Sequence, residues 1–242
     1  MQEQFERLGY LIGEEGFDKL QKAHVAVFGI GGVGSFTVEA LARSGIGKLT
    51  LIDFDTVDIT NLNRQIHALH STVGRMKAEV MAERIYAINP DAVVDVVSEM
   101  VTPERLEDFF QSDYDFVVDA IDMVSAKLAI IEKCTREGIP IISSMGTGNK
   151  LDPTQLTLTD IYKTSVCPLA RVMRHELKKR GVRALQVVYS PECPLTPVYS
   201  EETVKALENT RKKPPGSTGF VPSAAGLILA SAVVRTLLTK TA

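Results

Sequence analysis

Paired cysteine spacing is absent from this 242-residue chain. Its three cysteines, Cys134, Cys167 and Cys193, lie too far apart in sequence to read as a disulfide framework, which fits a reducing, cytoplasmic setting. They are also too few for a four-cysteine structural zinc site. An excess of basic charge is missing too: 27 Lys and Arg stand against 30 Asp and Glu, a net charge of −3. Any nucleic-acid contact must therefore come from a local patch. Residues 1–7 show no basic start leading into an apolar run, so no signal peptide is expected. Internal repeats and low-complexity tracts are absent. The one long apolar run, 220–238, has the length of a membrane span. Pro222, Ser223, Ser231, Arg235 and Thr236 interrupt it, and Ala224, Ala225, Gly226, Ala230 and Ala232 suit close packing. It reads as a buried core helix, with no membrane insertion expected.

What is present is an alternation. Short β-branched or apolar runs at 24–29, 48–53, 92–98, 114–119 and 139–144 are separated by helical patterns at 32–44, 74–89, 102–112 and 124–137. That order predicts an α/β fold, a Rossmann-like doubly wound and mainly parallel sheet with helices on both faces. Thr102 is placed to cap the third helix, with Pro103 at its first position. Residues 1–145 form the expected nucleotide-binding core. Residues 146–242 are expected to extend the same domain with mixed strands and helices: a strand near 155–158, a helix at 168–180, a strand at 185–190, a surface loop over 191–215 with a short helix near 201–210, and the C-terminal core helix.

A glycine-rich turn, Gly29-Ile30-Gly31-Gly32-Val33-Gly34, follows the first strand and opens the first helix of the alternation. Glycine lets backbone approach phosphate, and a helix N-terminus offers free N–H groups and a favourable dipole. Nineteen residues after Gly34, Asp53 ends the second strand, where a carboxylate meets ribose hydroxyls. A polar string follows: Asp55, Asp58, Thr60, Asn61, Asn63, Arg64 and Gln65. Arg64 is a permanent cation with a planar fork suited to phosphate oxygens. Asn61 can donate to a phosphate oxygen or orient its loop. Lys77, in the first turn of the next helix, is a second phosphate-binding cation. Asp119 and Asp122 follow the strand that ends in Val118, at the edge where doubly wound sheets bind ligands. Asp122 is the expected holder of Mg²⁺ beside a triphosphate, or else a cap for the helix at 124–137. Asp119 caps or braces the loop. The cofactors expected are ATP and Mg²⁺. An NAD-dependent oxidoreductase shares the glycine fingerprint but leaves Arg64 and Lys77 without a task.

These residues resemble a known group. The glycine turn, Asp53-Phe54-Asp55, Asn61-Leu62-Asn63-Arg64-Gln65, Lys77 and Asp119-Ala120-Ile121-Asp122 are similar to the ThiF/MoeB/HesA adenylating superfamily, the enzymes related to ubiquitin activators. Within it, Asn63-Arg64-Gln65-Ile66-His67-Ala68-Leu69, residues 77–84, Leu151-Asp152-Pro153-Thr154 and residues 160–170 resemble the tRNA threonylcarbamoyladenosine dehydratases, over about residues 5–238 and least at 191–215. The resemblance implies ATP-dependent activation of a carboxylate as an acyl-adenylate on a modified adenosine of tRNA, then loss of water to close a ring. It implies an ATP site of Gly29, Gly31, Gly32, Gly34, Asp53, Asp55, Asn61, Asn63, Arg64, Gln65, Lys77 and Asp122. Arg64, Lys77 and Asp122 are the catalytic residues within that set. Arg7 matches an arginine that reaches the partner subunit's ATP, which implies a homodimer. The alternative within the superfamily is adenylation of a ubiquitin-like sulfur-carrier C-terminus. The paired-cysteine zinc site of those enzymes is missing here. The resemblance leaves room for a sulfur-relay protein as a further partner.

A modified tRNA gives the basic stretch at 163–183 a task. It carries Lys163, Arg171, Arg174, Lys178, Lys179, Arg180 and Arg183 against one acid, Glu176. On a helix, Arg171, Arg174 and Lys178 fall on one exposed stripe, with Val172, Met173 and Leu177 turned inward. Charge alone favours a solvated helix face, and the resemblance reverses that reading. His67 and His70 are expected to make stabilising hydrogen bonds. Cys134 is expected to be packing, and Cys167, beside Pro168 at a helix start, is open to activation. Neither Cys167 nor Cys193 has a base beside it in sequence, and the chemistry above needs no protein nucleophile.

Overall fold

A computed structural model describes residues 2–206 and 213–239. Seven strands form one sheet: β1 (His24–Phe28), β2 (Lys48–Ile52), β3 (Val93–Val97), β4 (Phe116–Asp119), β5 (Ile141–Ser144), β6 (Thr157–Asp160) and β7 (Gln186–Tyr189). Their order across the sheet is β3-β2-β1-β4-β5-β7-β6. Every pairing is parallel except that of β6 with β7. The order reverses between β1 and β4, which places a ligand crevice beyond their carboxyl ends. Every residue of β1 is buried, as a parallel strand covered on both faces requires.

The helices are α1 (Glu6–Lys22), α2 (Gly34–Arg43), α3 (Lys77–Ile88), α4 (Val124–Glu137), α5 (Pro168–Lys179), α6 (Glu201–Ala206) and α7 (Val221–Thr239). One face of the sheet buries Val25, Val27, Leu49 and Leu51 against Val38 and Leu41 of α2, Met81 and Ile85 of α3, and Leu229 and Val233 of α7. The other face packs Ala26, Phe28 and Val117 against Ile130 and Cys134 of α4. A further cluster joins α5 to β7 through Met173, Leu177 and Val187.

The C-terminal apolar run is a helix long and apolar enough to cross a membrane, yet it packs on α2 within the fold. Gly226 explains how closely. A Cβ there would stand 2.3 Å from the Val33 carbonyl oxygen, and the Thr37 hydroxyl donates to the Gly226 carbonyl at 3.1 Å. The small residues in this run therefore serve backbone-to-backbone approach.

Three differences from the sequence reading have local causes. The helix α1 had no counterpart in that reading, because Gly13 at φ 70° and ψ 175° kinks it and breaks its pattern. The helical stretch after Thr102 is a 3-10 helix over Pro103–Phe109, and the Thr102 side chain does not cap it. The strand expected at 155–158 lies at Thr157–Asp160, after a 3-10 turn over Pro153–Gln155. The helix near 201–210 is present as Glu201–Ala206, and 207–212 lie outside the described residues.

Candidate functional site: the crevice at the β1–β4 switch

The glycine turn leaves β1 with Gly29 at φ 88°, its N–H donating to the Ile52 carbonyl at 2.8 Å. Its missing Cβ is needed, since a Cβ would stand 2.8 Å from the Ala120 carbonyl oxygen. The Ile30 N–H donates to Asp53 Oδ2 at 2.6 Å, and the Asp55 N–H to Asp53 Oδ1 at 2.9 Å. Asp53 thus ties the glycine turn to the end of β2, with lone pairs left over on both oxygens. Burial raises its pKa, while the two amides and the nearby Lys77 ammonium oppose that rise. Among the described residues, the N–H groups of Gly31, Gly32, Val33 and Gly34 donate to no protein acceptor. Four free donors at the start of α2 form a cradle for an anion.

The polar string lies over that cradle. A 3-10 helix at Ile59–Asn61 carries a reciprocal cap: the Asp58 side chain accepts from the Thr60 N–H, and Asn61 Oδ1 accepts from the Asp58 N–H at 3.0 Å. Asn61 therefore orients its loop, with its amide NH₂ still available. The Arg64 Cγ lies 3.5 Å from where a Cβ of Gly32 would stand, so its stem runs across the glycine turn. Arg64 Nη1 donates to the Thr60 carbonyl at 2.8 Å and to Asn63 Oδ1 at 3.0 Å, while Nη2 and Nε have no partner among the described residues. Asn63 is tied at both ends, because its Nδ2 also donates to the Ser217 carbonyl at 3.0 Å. It supports Arg64 through its Oδ1 contact. Gln65 approaches Gly31, its Nε2 being 4.0 Å from the Cβ position there, and its buried Oε1 has no partner.

Lys77 is buried and donates to Asp55 Oδ2 at 2.7 Å, so it is no solvated surface charge. Asp122 is exposed just past β4, and among the described residues its carboxylate has no partner. It does not cap α4, whose N-cap residue Met123 makes no side-chain cap bond. Among the described residues no three potential metal ligands cluster. Asp122 therefore fits Mg²⁺ only as a protein carboxylate sharing the ion with nucleotide oxygens, the usual arrangement for this cation. Asp119 braces the fold, accepting from Lys127 and Ser143. The sequence reading missed Lys127, which interrupts the apolar face of its own helix. Arg7 is exposed on α1 and has no partner among the described residues.

The basic helix divides. Arg171 and Lys178 are exposed, as are Lys163 before it and Arg183 after it, and none has a partner among the described residues. Arg174 instead turns back to the Thr164 carbonyl and hydroxyl. Lys179 and Arg180 pair with Glu176, and Arg180 also with Glu132. Met173 and Leu177 face inward as expected, but Val172 is exposed.

His67 is 1% exposed, and among the described residues neither ring nitrogen has a hydrogen-bond partner, against the bond expected for it. Burial foremost, then Lys77 and Arg84, lower its pKa from 6.5 to about 4. The unfolded chain binds this proton more tightly, so the neutral ring's contribution is complete above pH 6.5 and lost as pH falls towards 4. Between pH 7 and pH 5 that loss is about 2 kcal/mol. Urea midpoints at the two values should differ accordingly, and His67→Leu should flatten the difference. An unchanged slope in the variant would show that other groups set it.

Residues 5–242 match the ThiF family. The chain is 46% identical over 245 residues to the tRNA threonylcarbamoyladenosine dehydratase of Bacillus subtilis, covering 98% of this chain and 96% of that one. It is 42% identical to the Escherichia coli enzyme of the same name, covering 96% and 92%. A crystal structure of the Escherichia coli dehydratase in complex with ATP superposes with a TM-score of 0.87 at 39% identity, over 97% of this chain and 93% of that one. The chain belongs to the ThiF family.

Proposed function

We propose that this protein is an ATP-dependent carboxylate-adenylating enzyme that dehydrates threonylcarbamoyladenosine in tRNA to its cyclic form. The observation that carries the nucleotide reading is the set of four free amides at 31–34 beneath the stem of Arg64. The kinship with dehydratases over nearly the whole chain carries the substrate.

In this reading the glycine turn and the amides of α2 bind the phosphates, and Asp53 accepts the ribose hydroxyls. Asn61, Gln65, Arg64 and Lys77 surround the phosphate chain. Lys77 leaves Asp55 in part to do so. Asp122 would hold Mg²⁺, which would supply further neutralisation of phosphate charge. A threonyl carboxylate oxygen attacks the α-phosphorus, and the bond to pyrophosphate breaks. Arg64 and Lys77 stabilise the charge that develops on the departing oxygens. A nitrogen of the same nucleoside then attacks the acyl carbon and loses its proton. The carbon–oxygen bond to AMP breaks, so the oxygen lost in dehydration leaves within AMP. No protein nucleophile takes part. Arg7 completes the site of a second copy, making the working unit a homodimer. Residues 1–145 serve as the adenylation core and 146–242 as an extension of the same domain, in a cytoplasmic enzyme.

The substrate is tested by incubating the protein with ATP and tRNA isolated before or after threonylcarbamoylation. AMP and pyrophosphate should form only with the modified tRNA, whose nucleoside loses the mass of one water. Turnover that requires a small carrier protein instead would favour the sulfur-carrier reading. The tRNA face is expected at Lys163, Arg171 and Lys178, the cations left unpaired, with Arg174, Lys179 and Arg180 holding the helix. Replacing Lys163, Arg171 and Lys178 by Ala should weaken tRNA binding at least about tenfold near physiological salt and flatten its salt dependence. Unchanged affinity across a salt series would remove this helix from the interface.

A further inference from the structure

Among the described residues Asp122 has no side-chain partner, so its position follows the backbone of the turn 120–123. Three contacts fix that turn. The Ala120 N–H donates to the Phe28 carbonyl at 2.8 Å, the Lys127 N–H donates to the Met123 carbonyl at 3.0 Å, and the Ile121 N–H reaches Asp119 Oδ1 at 3.4 Å. The third depends on how the Asp119 carboxylate is turned. Its other oxygen, Oδ2, accepts from Lys127 Nζ at 2.7 Å and from the Ser143 hydroxyl at 2.6 Å, and Lys127 Nζ also donates to Ser143 Oγ at 3.0 Å.

Lys127 and Asp119 are both 0% exposed, and Ser143 is buried with them. A lysine is almost never fully buried unless paired. A buried ion pair is commonly no more stabilising than apolar side chains of the same volume. What an apolar substitute cannot do is lock a carboxylate so that one oxygen points at a chosen backbone N–H. The three groups come from the end of β4, the end of β5 and the second turn of α4. They converge directly under the turn that touches Gly29.

We propose that Lys127 is a positioning residue: clamped between Asp119 and Ser143, it sets the turn that aims Asp122 at the phosphate crevice. This rests on Asp122 holding Mg²⁺ as described above. It predicts that Lys127 matters to the metal-linked part of nucleotide binding and little to the rest.

The test is titration calorimetry of ATP, without tRNA, in the presence and absence of Mg²⁺. Wild type defines the gain in affinity on adding Mg²⁺. Asp122→Asn should lose most of that gain. Lys127→Met should lose at least about tenfold of it, keep its Mg²⁺-free affinity, and add less than about twofold in the Asp122→Asn background, because residues acting through one group are not additive. If Lys127→Met fails to fold, with Asp119 left charged and buried, Asp119→Asn/Lys127→Met removes that penalty and carries the same expectation. If Asp122→Asn loses the gain but the Lys127 variants keep it, or if the losses add, Lys127 does not act through Asp122. If Asp122→Asn itself keeps the gain, the metal assignment fails and the proposal falls with it.

Discussion

Arg64→Ala should lower the rate of pyrophosphate release by at least about a thousandfold while leaving the fold intact. The geometry separates the two effects. One nitrogen of the guanidinium, Nη1, makes both of its hydrogen bonds to the protein, with the Thr60 carbonyl and Asn63 Oδ1. Those bonds hold the side chain across the glycine turn, and Nε and Nη2 remain for an anion. Removing a partly exposed side chain with two such bonds should cost no more than about 1 kcal/mol of stability. Removing the planar fork takes away the donors that meet charge as it builds on the leaving phosphates. Arg64→Lys keeps the charge but not the fork, and should recover less than about a tenth of the lost rate. A quench assay for pyrophosphate alongside a thermal melt reads both quantities. Wild-type turnover in Arg64→Ala would show that the phosphates lie elsewhere.

The sequence carried this part of the site because its signals are local. A glycine turn between a strand and a helix, with an acid at the next strand end, is one βαβ unit, and it needs no tertiary information. The mainly parallel sheet was legible for the same reason: β1 and β4 carry unbroken apolar runs, 25–28 and 116–118, separated by helical patterns. Charges were harder. Lys77 and Arg64 look alike in sequence, but one is buried on Asp55 and the other lies across the turn. Arg174 shares a helical stripe with Arg171 and Lys178, yet Thr164 draws it back. The partner that decides each case comes from a different segment, and spacing within one helix cannot report it. Lys127 was invisible for the mirror reason. Its position in α4 looks like any lysine among apolar neighbours, and only the packing of α4 on the sheet encloses it with its partners, Asp119 of β4 and Ser143 of β5. Asn63 looked like a ligand donor because it sits beside Arg64. The return of the chain at Ser217 gives it a second, structural contact.

Gly34→Ala and Gly31→Ala should fail in different ways, and the contrast tests whether the glycine turn is there for the fold or for a ligand. A Cβ on Gly34 would stand 1.8 Å from the Gly29 carbonyl oxygen. That carbonyl cannot retreat easily, since the Gly29 N–H is bonded to Ile52 and the next N–H to Asp53. Either the turn opens or α2 moves away from the sheet, and α2 carries Val38 and Leu41 into the main core. Overpacking against fixed backbone should cost about 3–5 kcal/mol and shift the urea midpoint strongly. ATP binding should disappear with it. Gly31 is different. The nearest atom to a Cβ there is Gln65 Nε2 at 4.0 Å, so alanine fits the empty protein. Its stability should stay within about 0.5 kcal/mol of wild type, as for an ordinary surface change. Yet the methyl would sit where backbone must approach phosphate, and ATP affinity should fall by at least about tenfold. Calorimetry with ATP and denaturant titration on both variants give four numbers. Stable Gly34→Ala would mean the turn is looser than drawn. Gly31→Ala with wild-type ATP affinity would mean that the four free amides face no phosphate at all.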